Sequence, residues 1–349
     1  MHLIWPCKLQ AIVSCNSSSF IMSVKCRRWV LKSHFSGMPK REDLDLVEEE
    51  LPPLKDGEYM CEALWLSVDP YMRPYSKRFP VDTTMIGAQV AKVTESKSLK
   101  FAVGDLVSGS LGWRSHTIGS ETTKVRKLDS TLYTDRASTA VGVLGMPGAT
   151  AYFGFLNILA PKEGETLVVN GAAGAVGSLV GQIAKIKGCR VVGFAGTDEK
   201  VEYIKGLGFD EAFNYKTMGS MSETLKKACP KGIDMFFDNV GGEWFETVLT
   251  QMNLFGRVSI CGAISEYNID EPKSRAVNQL ILFNQLKVEG FIVNRWLKEW
   301  RECFMQMSQW IAEGKLKYKE TVTVGFENMF DAFLGLFTGA NTGKAVVKA

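Results

Sequence analysis

The tightest constraint in this chain is residues 166–177, Thr-Leu-Val-Val-Asn-Gly-Ala-Ala-Gly-Ala-Val-Gly, followed by the run Ser178-Leu-Val-Gly-Gln-Ile-Ala-Lys-Ile-Lys-Gly188. A short apolar run, glycines three apart and then a helical period read as strand, tight turn and helix. A helix that starts this way directs N–H groups and the positive end of its dipole at whatever lies over the turn, so the segment is a phosphate cradle. Gly174 lets the backbone approach a pyrophosphate, Gly177 lets the helix pack on its strand, and Ala175 and Val176 are read with them as cofactor-binding. The first glycine of the common spacing is Ala172, with Gly171 beside it. A glycine-rich turn with no ligand has the same local pattern, so the surroundings decide between the two.

Those surroundings alternate. Residues 167–169, 190–194, 211–214, 234–238 and 256–261 read as strands, and helices are expected from 175, over 198–207, and near 220–228 and 243–252. Strands alternating with helices give a parallel, doubly wound sheet whose ligand crevice lies at the carboxyl ends of its strands. Before this block, from Met22 to about residue 125, short alternating runs such as 58–67, 89–93 and 105–108 are separated by Gly, Pro and Asp and read as a β-rich, barrel-like region. Residues 140–156, small and helically spaced, read as a linker helix. Strand signals return at 320–324 and 343–347, with a helix over 326–336 between them, so the tail is expected to rejoin the β-rich domain.

A chain of 349 residues is long enough for about two domains. A net charge of +3 is too small to argue for nucleic acid or membrane partners. No apolar run approaches the ~20 residues that cross a bilayer. The eight cysteines include no C-x-x-C pair, which argues against a zinc cluster or a disulfide framework and for reduced thiols in the cytoplasm. Residues 1–21 read as a disordered leader or an alternative start, with an organelle-targeting segment as the other reading; Met22 opens the folded region.

Five segments carry a resemblance. Ser67-Val-Asp-Pro-Tyr-Met-Arg73, Met146-Pro-Gly-Ala-Thr-Ala-Tyr-Phe-Gly154, Asn170-Gly-Ala-Ala-Gly-Ala-Val-Gly-Ser178, Phe237-Asp-Asn-Val-Gly-Gly242 and Ile260-Cys-Gly-Ala-Ile-Ser-Glu-Tyr-Asn268 resemble the medium-chain dehydrogenase/reductase superfamily. Within it they are similar to the zinc-independent leukotriene 12-hydroxydehydrogenase/prostaglandin reductase group, over residues 22–349. The resemblance implies an α/β fold: a GroES-like β-rich domain over 22–140, to which 315–349 return, and a Rossmann doubly wound parallel-sheet cofactor domain over 141–314. It also implies a cytoplasmic homodimer. Gly171 departs from the group, where alanine is more usual, and the loop at 270–277 is shorter.

Zinc-dependent relatives carry Gly-His-Glu where this chain has Gly87-Ala88-Gln89. Alanine cannot ligate zinc, and a catalytic site needs about three protein ligands, so no zinc is expected. The second strand ends in the small, neutral Gly193-Phe-Ala-Gly-Thr197, and Lys200 and Tyr215 match group residues that contact a phosphorylated ribose, which implies NADPH/NADP+. The competing reading makes Asp198 the ribose acid and Lys200 a solvated helix residue. The resemblance places Asn239, Cys261, Gly262, Ala263, Ile264, Ser265, Glu266, Tyr267, Phe291, Ile292, Val293 and Asn341 around the cofactor. Asn239 also suits a turn before Gly-Gly, and Cys261 reads as packing because nothing nearby in sequence lowers its pKa.

The implied reaction is hydride delivery to the β-carbon of an α,β-unsaturated ketone or aldehyde, with the cofactor's ribose hydroxyl and Tyr267 stabilising the enolate oxygen and a proton from solvent or a tyrosine finishing at the α-carbon. Substrates would be 2-alkenals and eicosanoids such as 15-oxo-prostaglandins, with NADP+-dependent oxidation of the leukotriene B4 12-hydroxyl as a further activity. Tyr71, Arg73 and Arg78 lie in the segment placed over the site, where either arginine pairs a substrate carboxylate or both are surface residues. An NADPH quinone reductase of the same fold and a non-catalytic NADPH-binding homologue remain as alternatives.

Overall fold

In the strand Tyr59–Ser67 only Glu62 is exposed, because the strand has neighbours on both edges and is covered on both faces. In this computed structural model, which describes residues 23–133, 135–273 and 275–349, it is the centre of the first domain. The leader expected over residues 1–21 lies outside the described residues. We number the strands β1 (Val24–Leu31), β2 (Leu44–Leu51), β3 (Tyr59–Ser67), β4 (Gln89–Ser96), β5 (Leu106–Gly109), β6 (His116–Gly119) and β7 (Val125–Lys127). Next come β8 (Thr166–Val169), β9 (Arg190–Ala195), β10 (Glu211–Asn214), β11 (Ile233–Asp238), β12 (Met252–Ile260) and β13 (Lys287–Gly290), then β14 (Glu320–Val324) and β15 (Lys344–Lys348).

Three sheets result. β1 and β2 form an antiparallel hairpin; a seven-stranded sheet runs β14-β15-β3-β4-β5-β7, with β6 also pairing β3; a six-stranded sheet runs β10-β9-β8-β11-β12-β13. Every pair in the six-stranded sheet is parallel. Leu167, Val168 and Val169 of its central β8 are fully buried, each adding roughly 1.5–3 kcal/mol of burial. The order reverses between β8 and β11, which puts the crevice of a doubly wound sheet at the carboxyl ends of these two strands.

The tail returns as expected. β15 pairs antiparallel with β3, Val346 opposite Ser67, and parallel with β14, so the parallel-sheet block sits between two parts of one mixed sheet. The two blocks also touch at the glycine turn, where the Gly343 N–H donates to the Ala173 carbonyl at 2.7 Å. On the helix Gly177–Ile186, the Gln182 side chain pairs with both backbone groups of Lys317 at 2.7 and 2.9 Å.

Several elements differ from the sequence reading. The helix expected over 140–156 is broken into a 3-10 turn (Ala137–Val141), a helix (Met146–Phe153) and a π-turn (Gly154–Leu159). Gly145 is extended and Pro147 opens the helix, which no continuous helix from residue 140 could accommodate. β12 begins at Met252 rather than 256. β13 adds a sixth strand, and the helix Trp300–Ala312 buries Cys303, Phe304, Met307 and Trp310 at helical spacing.

Behind the Ser67–Arg73 motif lies a buried ion pair. Lys344 Nζ donates to Asp69 Oδ1 at 2.8 Å and to the Val68 carbonyl at 2.7 Å, and Ser67 Oγ donates to Asp69 Oδ2. Both charged side chains are under a tenth exposed. Lys344→Met, which leaves Asp69 buried without its cation, is expected to cost about 3–5 kcal/mol. Adding Asp69→Asn should recover part of that loss, both changes being read by urea denaturation.

Candidate active site

At the crevice, one carboxylate organises three strand ends. Asp238, the last residue of β11, is 1% exposed. Its Oδ1 accepts from Asn170 Nδ2 at 2.6 Å and from the Val240 and Gly241 N–H groups at 2.9 Å each. Burial pushes its pKa up, and these donors act against the shift. The Asp238 carbonyl takes the Cys261 N–H at 2.8 Å, tying in the end of β12. Asn239 pairs reciprocally with Asn170: its N–H donates to Asn170 Oδ1 at 2.7 Å and its Nδ2 to the Asn170 carbonyl at 2.9 Å. Asn239 is therefore both the turn residue that its Gly-Gly context suggests and a brace at the crevice edge.

Above this lattice sits the glycine turn. Gly171 has φ +57°, a left-handed conformation that glycine adopts without strain. A Cβ on Gly177 would lie 2.5 Å from the Gly171 carbonyl oxygen and 2.9 Å from Ala172 Cα, so only glycine lets the helix sit this close to its strand. The cradle at Gly174, Ala175 and Val176 opens beside the first turn of the helix Gly177–Ile186. Gly174 bridges to Gly343, and Asn341 Nδ2 donates to the Gly343 carbonyl at 2.9 Å. Asn341 thus shapes the tail segment that closes the cradle.

The Cys261–Tyr267 segment follows β12. The Ile264 and Ser265 N–H groups donate to the Asn239 and Val240 carbonyls, and Glu266 N–H closes a turn on Ala263. The Ala263 N–H donates to the Tyr267 hydroxyl oxygen at 3.2 Å, and a Cβ on Gly262 would press on that hydroxyl at 3.0 Å. Burial raises the Tyr267 pKa, the Ala263 bond working against it and Cys261, Tyr75 and Asp238 adding to it, so the phenol stays neutral and keeps its proton to donate. Burial, aided by Asp238, also pushes the Cys261 thiol up to about 12, far from a reactive thiolate.

On the neighbouring strand end, Thr197 caps the helix Asp198–Gly206. Lys200 Nζ donates to the Gly339 carbonyl at 2.8 Å, and Asp198 Oδ1 accepts from Asn214 at 2.7 Å. Burial, followed by Lys216, lowers the Lys200 pKa. Tyr215 is 44% exposed and lies against Gly196, where a Cβ would meet its hydroxyl at 2.9 Å.

Other expected residues fall elsewhere. Arg73 is not at the surface: it is 1% exposed, with Nε donating to Asn268 Oδ1 at 3.0 Å and Nη2 to the Gly37 carbonyl at 2.9 Å. Engaged twice and shielded from solvent, it is not available to a substrate carboxylate. Arg78 is exposed and lies 4.4 Å over the Tyr75 ring, which meets Tyr71 edge-on at 5.3 Å. Burial and then Asp69 raise the Tyr71 pKa. Phe291 packs edge-on against Phe237 and Trp296, Val293 is buried, and Ile292 is exposed. Gln89, where zinc relatives carry glutamate, donates to the Gly112 and Arg114 carbonyls. Among the described residues, no three His, Cys, Asp or Glu side chains form a group that could hold a metal ion, and no helix is long and apolar enough to cross a membrane.

Comparison with known proteins gives the lineage. A family described as "N-terminal domain of oxidoreductase" matches residues 27–128, and one described as "Zinc-binding dehydrogenase" matches 175–313. The chain is 52% identical to prostaglandin reductase 1 of Rattus norvegicus over 330 residues, covering 93% of this chain and 100% of the relative. The chain belongs to the prostaglandin reductase 1 family, in the medium-chain dehydrogenase/reductase superfamily. Outside mammals, a 2-alkenal reductase (NADP(+)-dependent) of Nicotiana tabacum is 40% identical over 339 residues, covering 93% of this chain and 97% of the relative. Among solved structures, CurA from Vibrio vulnificus in complex with NADPH superposes with a TM-score of 0.87 at 39% identity, over 93% of this chain and 99% of that one. Membership of the prostaglandin reductase 1 family makes the chain an oxidoreductase.

The strand-end lattice was missed as a unit from the sequence, although Asn170 and Asp238 both stand in quoted motifs. Its weight can be measured. Asp238→Ala leaves three N–H donors without an acceptor, at roughly 1–3 kcal/mol each, and should lower the thermal midpoint far more than Asp238→Asn, which keeps an oxygen in place.

Proposed function

We propose that this chain reduces the carbon–carbon double bond of α,β-unsaturated ketones and aldehydes with NADPH, 2-alkenals and 15-oxo-prostaglandins among them. The observation that carries the reading is the Tyr267 phenol, neutral and half-buried on the loop beside the strand-end crevice. The names of the relatives, prostaglandin reductase and 2-alkenal reductase, support the substrate class.

The residues present fit the dinucleotide. The cradle at 174–177 offers helix N-terminal N–H groups to a pyrophosphate, and no side chain at 174 or 177 obstructs it. Lys200 and Tyr215 would hold the 2′-phosphate. An ammonium already disfavoured by burial and by Lys216 gains when a dianion arrives, whereas Asp198 is drawn away by Asn214. Asn239, the 261–267 segment and Asn341 would frame the remainder. When bound, NADPH supplies the hydride.

What the protein adds is position and charge stabilisation. Tyr267 accepts the Ala263 N–H through its oxygen, which leaves its own O–H to donate to the oxygen on which negative charge develops. Tyr71, with Tyr75 and the exposed Arg78, forms the face next to this loop, where Arg78 would pair the carboxylate of an acidic substrate. The reaction needs no zinc under this reading, because Ala88 stands where zinc-dependent relatives carry the ligating histidine. We further assign residues 141–314 to cofactor binding and 22–140 with 315–349 to the substrate side.

Loss of NADPH absorbance on adding a 2-alkenal or 15-oxo-prostaglandin tests the reaction; no loss with either sinks it, and turnover with quinones alone selects the other reductase class. Tyr267→Phe should lower kcat about 10²–10³-fold with KM little changed. NADPH affinity should weaken as pH rises past the depressed Lys200 pKa, because only the protonated amine pairs with the phosphate. That break should lie below the ordinary lysine value of about 10.4 and disappear in Lys200→Met.

A further inference from the structure

Substrate binding leaves Arg73 without a purpose, yet a buried guanidinium is costly unless its geometry is used. Its acceptors are two neutral oxygens, Asn268 Oδ1 and the Gly37 carbonyl. Asp270 and Asp43 act on it only through space. Their carboxylates are already engaged, Asp43 by Ser33 Oγ and the Lys40 N–H at 2.8 Å each, and Asp270 by Ser36 Oγ at 3.2 Å. The Phe35 ring lies 5.9 Å beneath the guanidinium.

These contacts span the two domains. Asn268 and Asp270 follow Tyr267 on the loop after β12, whereas residues 33–38 follow β1 and Arg73 stands on the helix Met72–Ser76. Asn268 is held at both ends of its amide: Oδ1 accepts from Arg73, and Nδ2 donates to Met38 Sδ at 3.3 Å. Ser36 and Asp270 add a rim bond. A guanidinium can serve Asn268 and Gly37 at once because its N–H groups are fixed in a planar fork; a lysine ammonium has no such spread.

We propose that Arg73 is a positioning residue which, through Asn268, clasps the Tyr267 loop to the β-rich domain and so sets the Tyr267 hydroxyl against the face formed by Tyr71 and Tyr75. The proposal rests on the role given to Tyr267 above. Sequence adjacency carries the effect: Asn268 is bonded to the residue that supplies the phenol, so freedom at one becomes misplacement of the other, and a donor about 1 Å out of place loses much of its rate effect.

The test compares Arg73→Met, Asn268→Ala and Asn268→Asp. Amide hydrogen exchange over 262–270, measured without cofactor or substrate, should rise about tenfold in the first two, the worth of one hydrogen bond to a charged group, and stay near wild type in Asn268→Asp, which keeps the acceptor. With NADPH and a 2-alkenal, Arg73→Met and Asn268→Ala should each lower kcat about tenfold, and their double variant no further. In a Tyr267→Phe background the same substitutions should change kcat less than about twofold, because the group they position is gone. Unchanged exchange overturns the clasp, and an equal loss of kcat in both backgrounds reduces Arg73 to a structural residue. Asn268→Ala carries the test if Arg73→Met fails to fold. A wild-type chain with no turnover refutes the reductase reading, while the exchange data still decide whether the clasp exists.

Discussion

Where a parallel sheet stops, its last N–H and carbonyl groups have no further partner strand, and here one buried carboxylate gathers the loose ends. Asp238 accepts three N–H donors and through its carbonyl holds the start of the Tyr267 loop. Asn170 and Asn239 complete the tie between β8 and β11. The glycine turn above Asn170 and the Tyr267 loop beyond Cys261 both take their position from this set of bonds. Burying a charge is unfavourable, and the raised pKa records that, yet the same low-dielectric surroundings strengthen each bond to it. A rigid floor is what a site needs when its chemistry consists mainly of holding atoms in place.

Much of this could be read in advance because it depends on short-range pattern. The strand–turn–helix at 166–188, the alternation of elements after it and the return of the tail are all periodic signals, and the six-stranded order follows once they are placed. Lost were features whose cause is tertiary. β13 has only four residues, Lys-Val-Glu-Gly, too few to show a period. The broken helix over 137–159 keeps helical spacing while its backbone is bent by Gly145 and Pro147.

The site divides in the same way. The turn at Gly174 and Gly177 is set by local backbone geometry, so its spacing in the sequence was enough to place it. For Arg73 it was not, because an arginine in an exposed-looking Pro-Tyr-Met-Arg run gives no local sign that Phe35, Gly37 and Asn268 will enclose it. The Asp69–Lys344 pair is equally silent, its members lying at opposite ends of the chain. Partners distant in sequence leave no periodic trace, whether they meet inside the β-rich domain, as Asp69 and Lys344 do, or across to the loop after β12, as Arg73 and Asn268 do.

The pairing of β3 with β15 has a consequence for how the chain reaches this state. Ser67 waits for Val346 across the whole cofactor domain, and an unstructured loop of that length would add to the entropic cost of closure. The intervening block has its own core and its own sheet. Folded, it holds residues 315–349 beside the glycine turn, which turns a remote encounter into a local one. Loop entropy therefore makes the pairing of β3 with β15 least costly to close once the parallel-sheet block between them is folded.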